Sequence, residues 1–217
     1  MHDRAFTFFV MTGLAILLLP ACAPRPSVRV DPSPLGPNWR TPYRLEALAR
    51  VALVAPRNLT PSGEAVVRLE DPLTGALIRT IRNRCPFELV PGHLPDTRSF
   101  LESARDWYRR PRRRPFPESP FDLLVRENPA DAYLLVWLDR SARPWVTGPD
   151  RVRRPADRLV LEATAVLLAP SGKALWAVTT RHDTTFPPGG LPDAARQAVH
   201  DLVDGVVRAF LEVGKRT

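Results

Sequence analysis

The chain has 217 residues, 31 Lys or Arg against 23 Asp or Glu, a net charge of +8 and 44% hydrophobic residues. That is enough for one domain with its own core plus a tail, and it excludes a wholly disordered chain. Beyond the N-terminal segment no apolar run reaches the ~18 residues of a spanning helix, so a multi-span membrane protein is excluded too.

The chain opens on an export-like segment. Met1 and Arg4 form a short basic region weakened by Asp3, and an apolar stretch runs from Ala5 to Leu19. As a helix it reaches roughly 22 Å against a hydrocarbon slab of about 30 Å, short for a span and right for the apolar core of a signal peptide. It ends on Leu19-Pro20-Ala21-Cys22, which resembles the lipobox of bacterial lipoproteins, with Pro20 departing from the usual small or β-branched residue. The resemblance implies cleavage after Ala21 and a lipidated Cys22 as the first mature residue. Three acyl chains at about 0.8 kcal/mol per buried CH₂ make such an anchor permanent. Ala23 stands where an inner-membrane retention signal often has Asp, so the same resemblance implies the outer membrane, periplasmic side. An ordinary cleaved signal, or a buried apolar helix ending at a chance cysteine, are the other readings.

Residues 22–45 hold Pro24, Pro26, Pro32, Pro34, Pro37 and Pro42 and read as an extended tether. At about 3.1 Å per residue it reaches up to roughly 60 Å from a bilayer. Residues 46–217 read as the domain. The run Ala49 to Pro56 predicts a buried strand ended by its proline, and Asp71-Pro72 an N-cap for a helix ending near Arg84, before Pro86, with Leu73, Leu77, Thr80 and Ile81 on one face. Phe87 to Val90 predicts a second strand. Asp96 caps a helix over 97–110, striped by Phe100, Leu101, Ala104, Trp107 and Tyr108. A short helix over 121–128 precedes the apolar strand Ala132 to Leu138, expected to be central. Val146 to Asp157 reads as a polar loop. Strands over 159–168 and 174–181 form a hairpin through Pro170-Ser171-Gly172-Lys173, and Pro192-Asp193 opens a last helix with Val199, Leu202, Val203, Val206 and Phe210 on one face. The first two strands, joined by a helix, are expected parallel and the hairpin antiparallel. The expected fold is α/β (α+β): a single mixed sheet of about five strands with helices mainly on one face.

Several of these stretches match one broad group. Arg50 to Asn58, Pro86 to Pro91, Ala130 to Val136 and Pro170 to Trp176 resemble the strands and hairpin of periplasmic lipoprotein domains related to the penicillin-binding-protein activator LpoB, the curli secretion lipoprotein CsgG and the TolB N-terminal domain. The resemblance spans most of 48–213 through short motifs. It implies an accessory role: binding, positioning or activating another envelope protein in cell-wall synthesis, assembly or transport.

No catalytic residue, metal site or cofactor is expected. Of the four histidines (His2, His93, His182 and His200) no two stand at ligand spacing with a carboxylate or cysteine. There is no nucleophile elbow, phosphate loop or dinucleotide fingerprint. Cys85 reads as an apolar filler and His200 as a solvated surface residue. The candidate partner-binding residues are Trp107, Tyr108, Arg109, Arg110, Arg112, Arg113 and Arg114, because arginine forks beside aromatic rings grip carboxylates, phosphates and glycans. The bland alternative is a basic surface loop. Nucleic acid is not an expected partner of an exported lipoprotein. Trp137, Trp145 and Trp176 are candidates for core or interface. A lipid- or glycan-binding protein, with a pocket between sheet and helices, is the competing reading.

Overall fold

The computed structural model describes residues 27–31, 45–61, 68–110 and 116–214. The signal segment, Cys22 and Arg112 to Arg114 lie outside the described residues. The strands are β1 (Ser27–Asp31), β2 (Arg50–Val54), β3 (Arg57–Asn58), β4 (Glu88–Gly92), β5 (Ala132–Ala142), β6 (Trp145–Thr147), β7 (Arg153–Pro155), β8 (Arg158–Leu168) and β9 (Ala174–Thr185). The helices are α1 (Glu70–Arg84), α2 (Thr97–Arg109), α3 (Glu118–Glu127) and α4 (Leu191–Gly214). The class is α/β. One seven-stranded sheet runs β1-β9-β8-β5-β2-β4, with β3 also paired to β5, and β6–β7 form a separate ribbon.

The sheet is mixed as the connections require. β2 lies parallel to β4 and β5, while β8 and β9 join antiparallel. Pro56 separates β2 from β3 along the same edge of β5, because it has no N–H to give to a ladder. β5 sits inside the sheet, and its apolar run alternates between two cores: Leu134, Val136 and Leu138 on one face, Tyr133, Leu135 and Trp137 on the other.

Helices cover both faces, not mainly one. α1 and α4 pack on the first core, α2 and α3 on the second. The handedness of crossovers is the reason. The chain steps outward from β2 to β4, then back across β2 to β5. Right-handed crossovers in opposite directions put their helices on opposite faces.

Local chemistry sets the ends of these elements. Asp96 caps α2, its Oδ1 accepting the Ser99 N–H at 3.0 Å. α1 starts earlier than its capping motif predicts: Leu69 is the N-cap and makes no side-chain bond. Asp71 falls in the first turn with Glu70, where both carboxylates complement the helix dipole. Pro72 is then the third helical residue, whose N–H would have no partner anyway. Gly172 turns the β8–β9 hairpin at φ +75°, and a Cβ there would stand 3.0 Å from the Phe116 ring.

Two segments depart from expectation. Ser27–Asp31, within the stretch read as tether, forms an edge strand antiparallel to β9, with Ser27 opposite Asp183 and Asp31 opposite Thr179. Its Ser-Val-Arg-Val-Asp alternation is a strand pattern that the surrounding prolines mask. The stretch read as a polar loop holds the β6–β7 ribbon, whose residues are all exposed. It buries nothing, so no hydrophobic period marks it. Among the described residues no helix is long and apolar enough to cross a membrane.

Candidate partner-binding surface

The C-terminal end of α2 is held by a buried carboxylate. Phe100, Leu101, Ala104 and Tyr108 face the sheet at helical spacing, which leaves Arg109 and Arg110 at the rim. Asp139 lies in β5 where the register with β8 slips between Leu138 and Arg140, and it is 7% exposed. Its Oδ1 accepts from Arg109 Nη2 at 2.7 Å and from Trp137 Nε1 at 3.1 Å. Its Oδ2 accepts from the Thr164 hydroxyl at 2.5 Å, and Thr164 meets Thr179 at 3.0 Å. A buried charge without such partners would cost several kcal/mol, roughly, so the network holds together as a unit. The neighbouring Arg105 donates from Nη1 to the Leu59 carbonyl at 2.6 Å.

The residues singled out from the sequence therefore separate. Tyr108 is 3% exposed, with its ring edge-on to Trp137 at 6.0 Å, so it belongs to the core and not to a contact surface. The sequence stripe had already placed it on the apolar side. Arg109 clamps Asp139 with one face and remains half-exposed. Trp107 is half-buried and packs edge-on to Phe116 at 5.0 Å. Arg110 is exposed and leads directly into residues 111–115. Asp139, Thr164 and Thr179 are brought to this site by the fold alone. The available signal was a charge placed directly after the apolar run Ala132 to Leu138.

Beyond α2 the same face of the sheet gains charged residues beside buried Val160 and Ala142. Arg140, Glu162 and Arg181 form the next cross-strand row after Trp137, Thr164 and Thr179. Asp183 follows, gripped by both Arg158 nitrogens, Nε at 2.6 Å from Oδ1 and Nη2 on Oδ2. The Arg158 hydrogen bonds hold the Asp183 carboxyl below its ordinary pKa.

His182 and Asp183 form no functional pair, since adjacent strand residues point to opposite faces. His182 turns under α4 and is 1% exposed, its Nδ1 lying 3.7 Å from Asp201 Oδ2 without a hydrogen bond. Burial pushes its pKa down, opposed by the Asp201 charge. His200 lies exposed on α4. Cys85 packs against the first core, and burial lifts its thiol to about 11, which suits a filler and not a nucleophile. Trp137 and Trp176 are core residues, while Trp145 is exposed.

Two cavities bear on small ligands. Between the sheet and α1/α4, a gap lined by Ile81, Phe87, Trp176 and Phe210 holds about 10 Å³, barely one water and far from an acyl chain. Between α2 and α3 lies an open groove of about 740 Å³, lined by Asp96, Ser99, Glu118, Asp122 and Arg126 among others.

No protein-family model matches the chain, and no curated protein matches it. Several solved structures are similar. The PelC dodecamer from Paraburkholderia phytofirmans is 17% identical, with 83% of this chain and 96% of that one covered at a TM-score of 0.42. Protein XCC0632 from Xanthomonas campestris is 14% identical, covering 88% and 95% at 0.48. The LpoB C-terminal domain from Escherichia coli is 14% identical, covering 62% and 82% at 0.36, so LpoB, to which the sequence was likened, is among them. Likeness at these levels transfers no function.

Proposed function

We propose that this chain is a lipid-anchored accessory protein of the bacterial envelope that binds and positions another envelope protein. One observation carries the reading. A buried carboxylate ties Arg109, in the last turn of α2, to Trp137 and Thr164 of the sheet, and that turn presents exposed Arg110, just before the Arg112–Arg114 segment in the sequence. Such a network fastens the end of a helix to the sheet and so holds a surface still. The lipobox at Cys22 supports the anchor, and Ala23 the outer membrane with the domain on its periplasmic side.

A photo-crosslinker placed at Arg110 in cells should capture one discrete envelope protein, where the same group at Arg79, exposed on α1, should not. Equal, diffuse labelling at both positions would refute the reading. Replacing Arg112, Arg113 and Arg114 with Ser should abolish the capture. Labelled palmitate should enter the wild type and not Cys22→Ser.

The α2–α3 groove favours a second reading. Its carboxylates and Arg126 suit a polar ligand such as a glycan, whereas the filled space under α1 and α4 leaves no room for lipid. A glycan protecting the α2 amides near Ser99 from hydrogen exchange would favour it.

A further inference from the structure

We infer that the β6–β7 ribbon is a membrane-surface contact that seats the domain against the leaflet holding its own anchor; this rests on the reading of Cys22 as lipidated. The large hydrophobics left exposed among the described residues all lie in this ribbon: Trp145 at 60%, Val146 at 47% and Val152 at 57%. Exposed Arg151, Arg153 and Arg154 lie among them, with Trp145 and Arg153 on one face of the ribbon and Val146 and Arg154 on the other. Only Arg154 is paired, with Asp150 at 2.9 Å, which leaves Arg151 and Arg153 without an ion-pair partner. Arg151 turns the ribbon at φ 60°, a left-handed conformation that a residue with a Cβ adopts at a cost. An amphipathic ring among unpaired cations is the chemistry of the headgroup layer: tryptophan seats at the interface, arginine at anionic phosphates.

Topology puts this ribbon at the end of the sheet where β1 begins. Ser27, where β1 begins, pairs with Asp183; Asp183 pairs with Val160, and Val160 with Ala142. The ribbon starts three residues after Ala142, so it leaves the sheet at the end where β1 enters. Three strand spacings separate β1 from β5, about 14 Å. Cys22 stands five residues before Ser27, a reach of at most about 17 Å. The pairing of β1 with β9 thus replaces a tether of roughly 60 Å with a short leash. A lipid on Cys22 brings this end of the sheet, and Trp145 with it, to the bilayer.

The test uses the protein purified with its anchor, in phosphatidylethanolamine–phosphatidylglycerol vesicles that contain brominated phosphatidylcholine as a tryptophan quencher. Mass spectrometry of the N-terminal peptide reports the lipid on Cys22 separately. Lipidated wild type should show a quenchable component that Trp145→Ser lacks. Trp145 packs on no core, so that variant should keep its unfolding midpoint, and Val152→Ser should reduce the quenching as a second check. Lipidated wild type that is not quenched, quenching that survives Trp145→Ser, or a crosslink from position 145 to a protein, a second copy included, would overturn the inference. If the peptide carries no lipid, the anchor reading fails by itself, and the same protein added to the vesicles judges the ribbon. Binding should then weaken about fivefold in Arg153→Gln on anionic vesicles and not on phosphatidylcholine alone; no preference for the anionic vesicles overturns it.

Discussion

The two faces of the sheet are built from the same strands and serve different ends. Under α1 and α4 the packing is continuous: Phe210 meets Phe87 and Trp176 edge-on at 5.8 and 5.3 Å, and about 10 Å³ stays empty. Under α2 and α3 the second core stops at Trp137, and the rest of that face mixes Asp139, Arg140, Glu162, Arg181 and Asp183 with buried Val160 and Ala142. The length of the helices decides this. α4 has 24 residues, whereas α2 and α3 have 13 and 10. A helix rises about 1.5 Å per residue, so α4 alone runs roughly 36 Å, the length of a whole strand, whereas α2 and α3 are each much shorter than the strands they cover. The sealed face holds the fold; the other carries the charged rim.

The largest effect should come from the sealed face. Leu77→Ala removes a side chain with no exposure and should cost about 2–5 kcal/mol in urea unfolding. On the other face Asp139→Ala leaves the Trp137 indole N–H without its acceptor, with only Thr179 left to the Thr164 hydroxyl, and removes the Arg109 ion pair. It should cost about 1–3 kcal/mol and speed amide exchange over Trp107 to Arg110, while Leu77→Ala should lower protection throughout. A uniform loss in both variants would erase the distinction between the faces. Gly172→Ala strains the hairpin turn and presses on Phe116, and should cost about 1 kcal/mol.

His182 adds a pH dependence to the sealed face. Its folded pKa lies below the unfolded one, so the unfolded chain binds the proton more readily. Stability is full above the ordinary histidine value and should decline as pH falls through and below it. His182→Gln should flatten the urea midpoint across that window; an unchanged slope would place the titration elsewhere. The smallest effect on stability belongs to Arg110→Ser, within about 0.5 kcal/mol, with its consequence confined to the crosslinking yield.

What could be read in advance follows from which forces are local. The stripe of α4 from Val199 to Phe210, the Asp96 cap and the glycine turn at 172 are set by neighbours within a few residues, and all appear where their patterns put them. The two-sided burial of β5 was legible for the same reason. Asp139 was not, because its partners Arg109 and Thr164 stand 30 and 25 residues away. The candidate cluster was half legible: Tyr108 already sat on the apolar stripe, but only the packed helix shows Arg109 turned back onto the sheet.

By itself the sequence determined the class, the order of the core strands and helices, and their apolar faces, since hydrophobic period and capping act within one or two turns of chain. Tertiary structure alone decided the rest. Crossover handedness sent the helices to both faces, and an edge left open on β9 drew Ser27–Asp31 out of a proline-rich stretch into the sheet. Those are choices between distant partners, and no single stretch of chain contains the information that settles them.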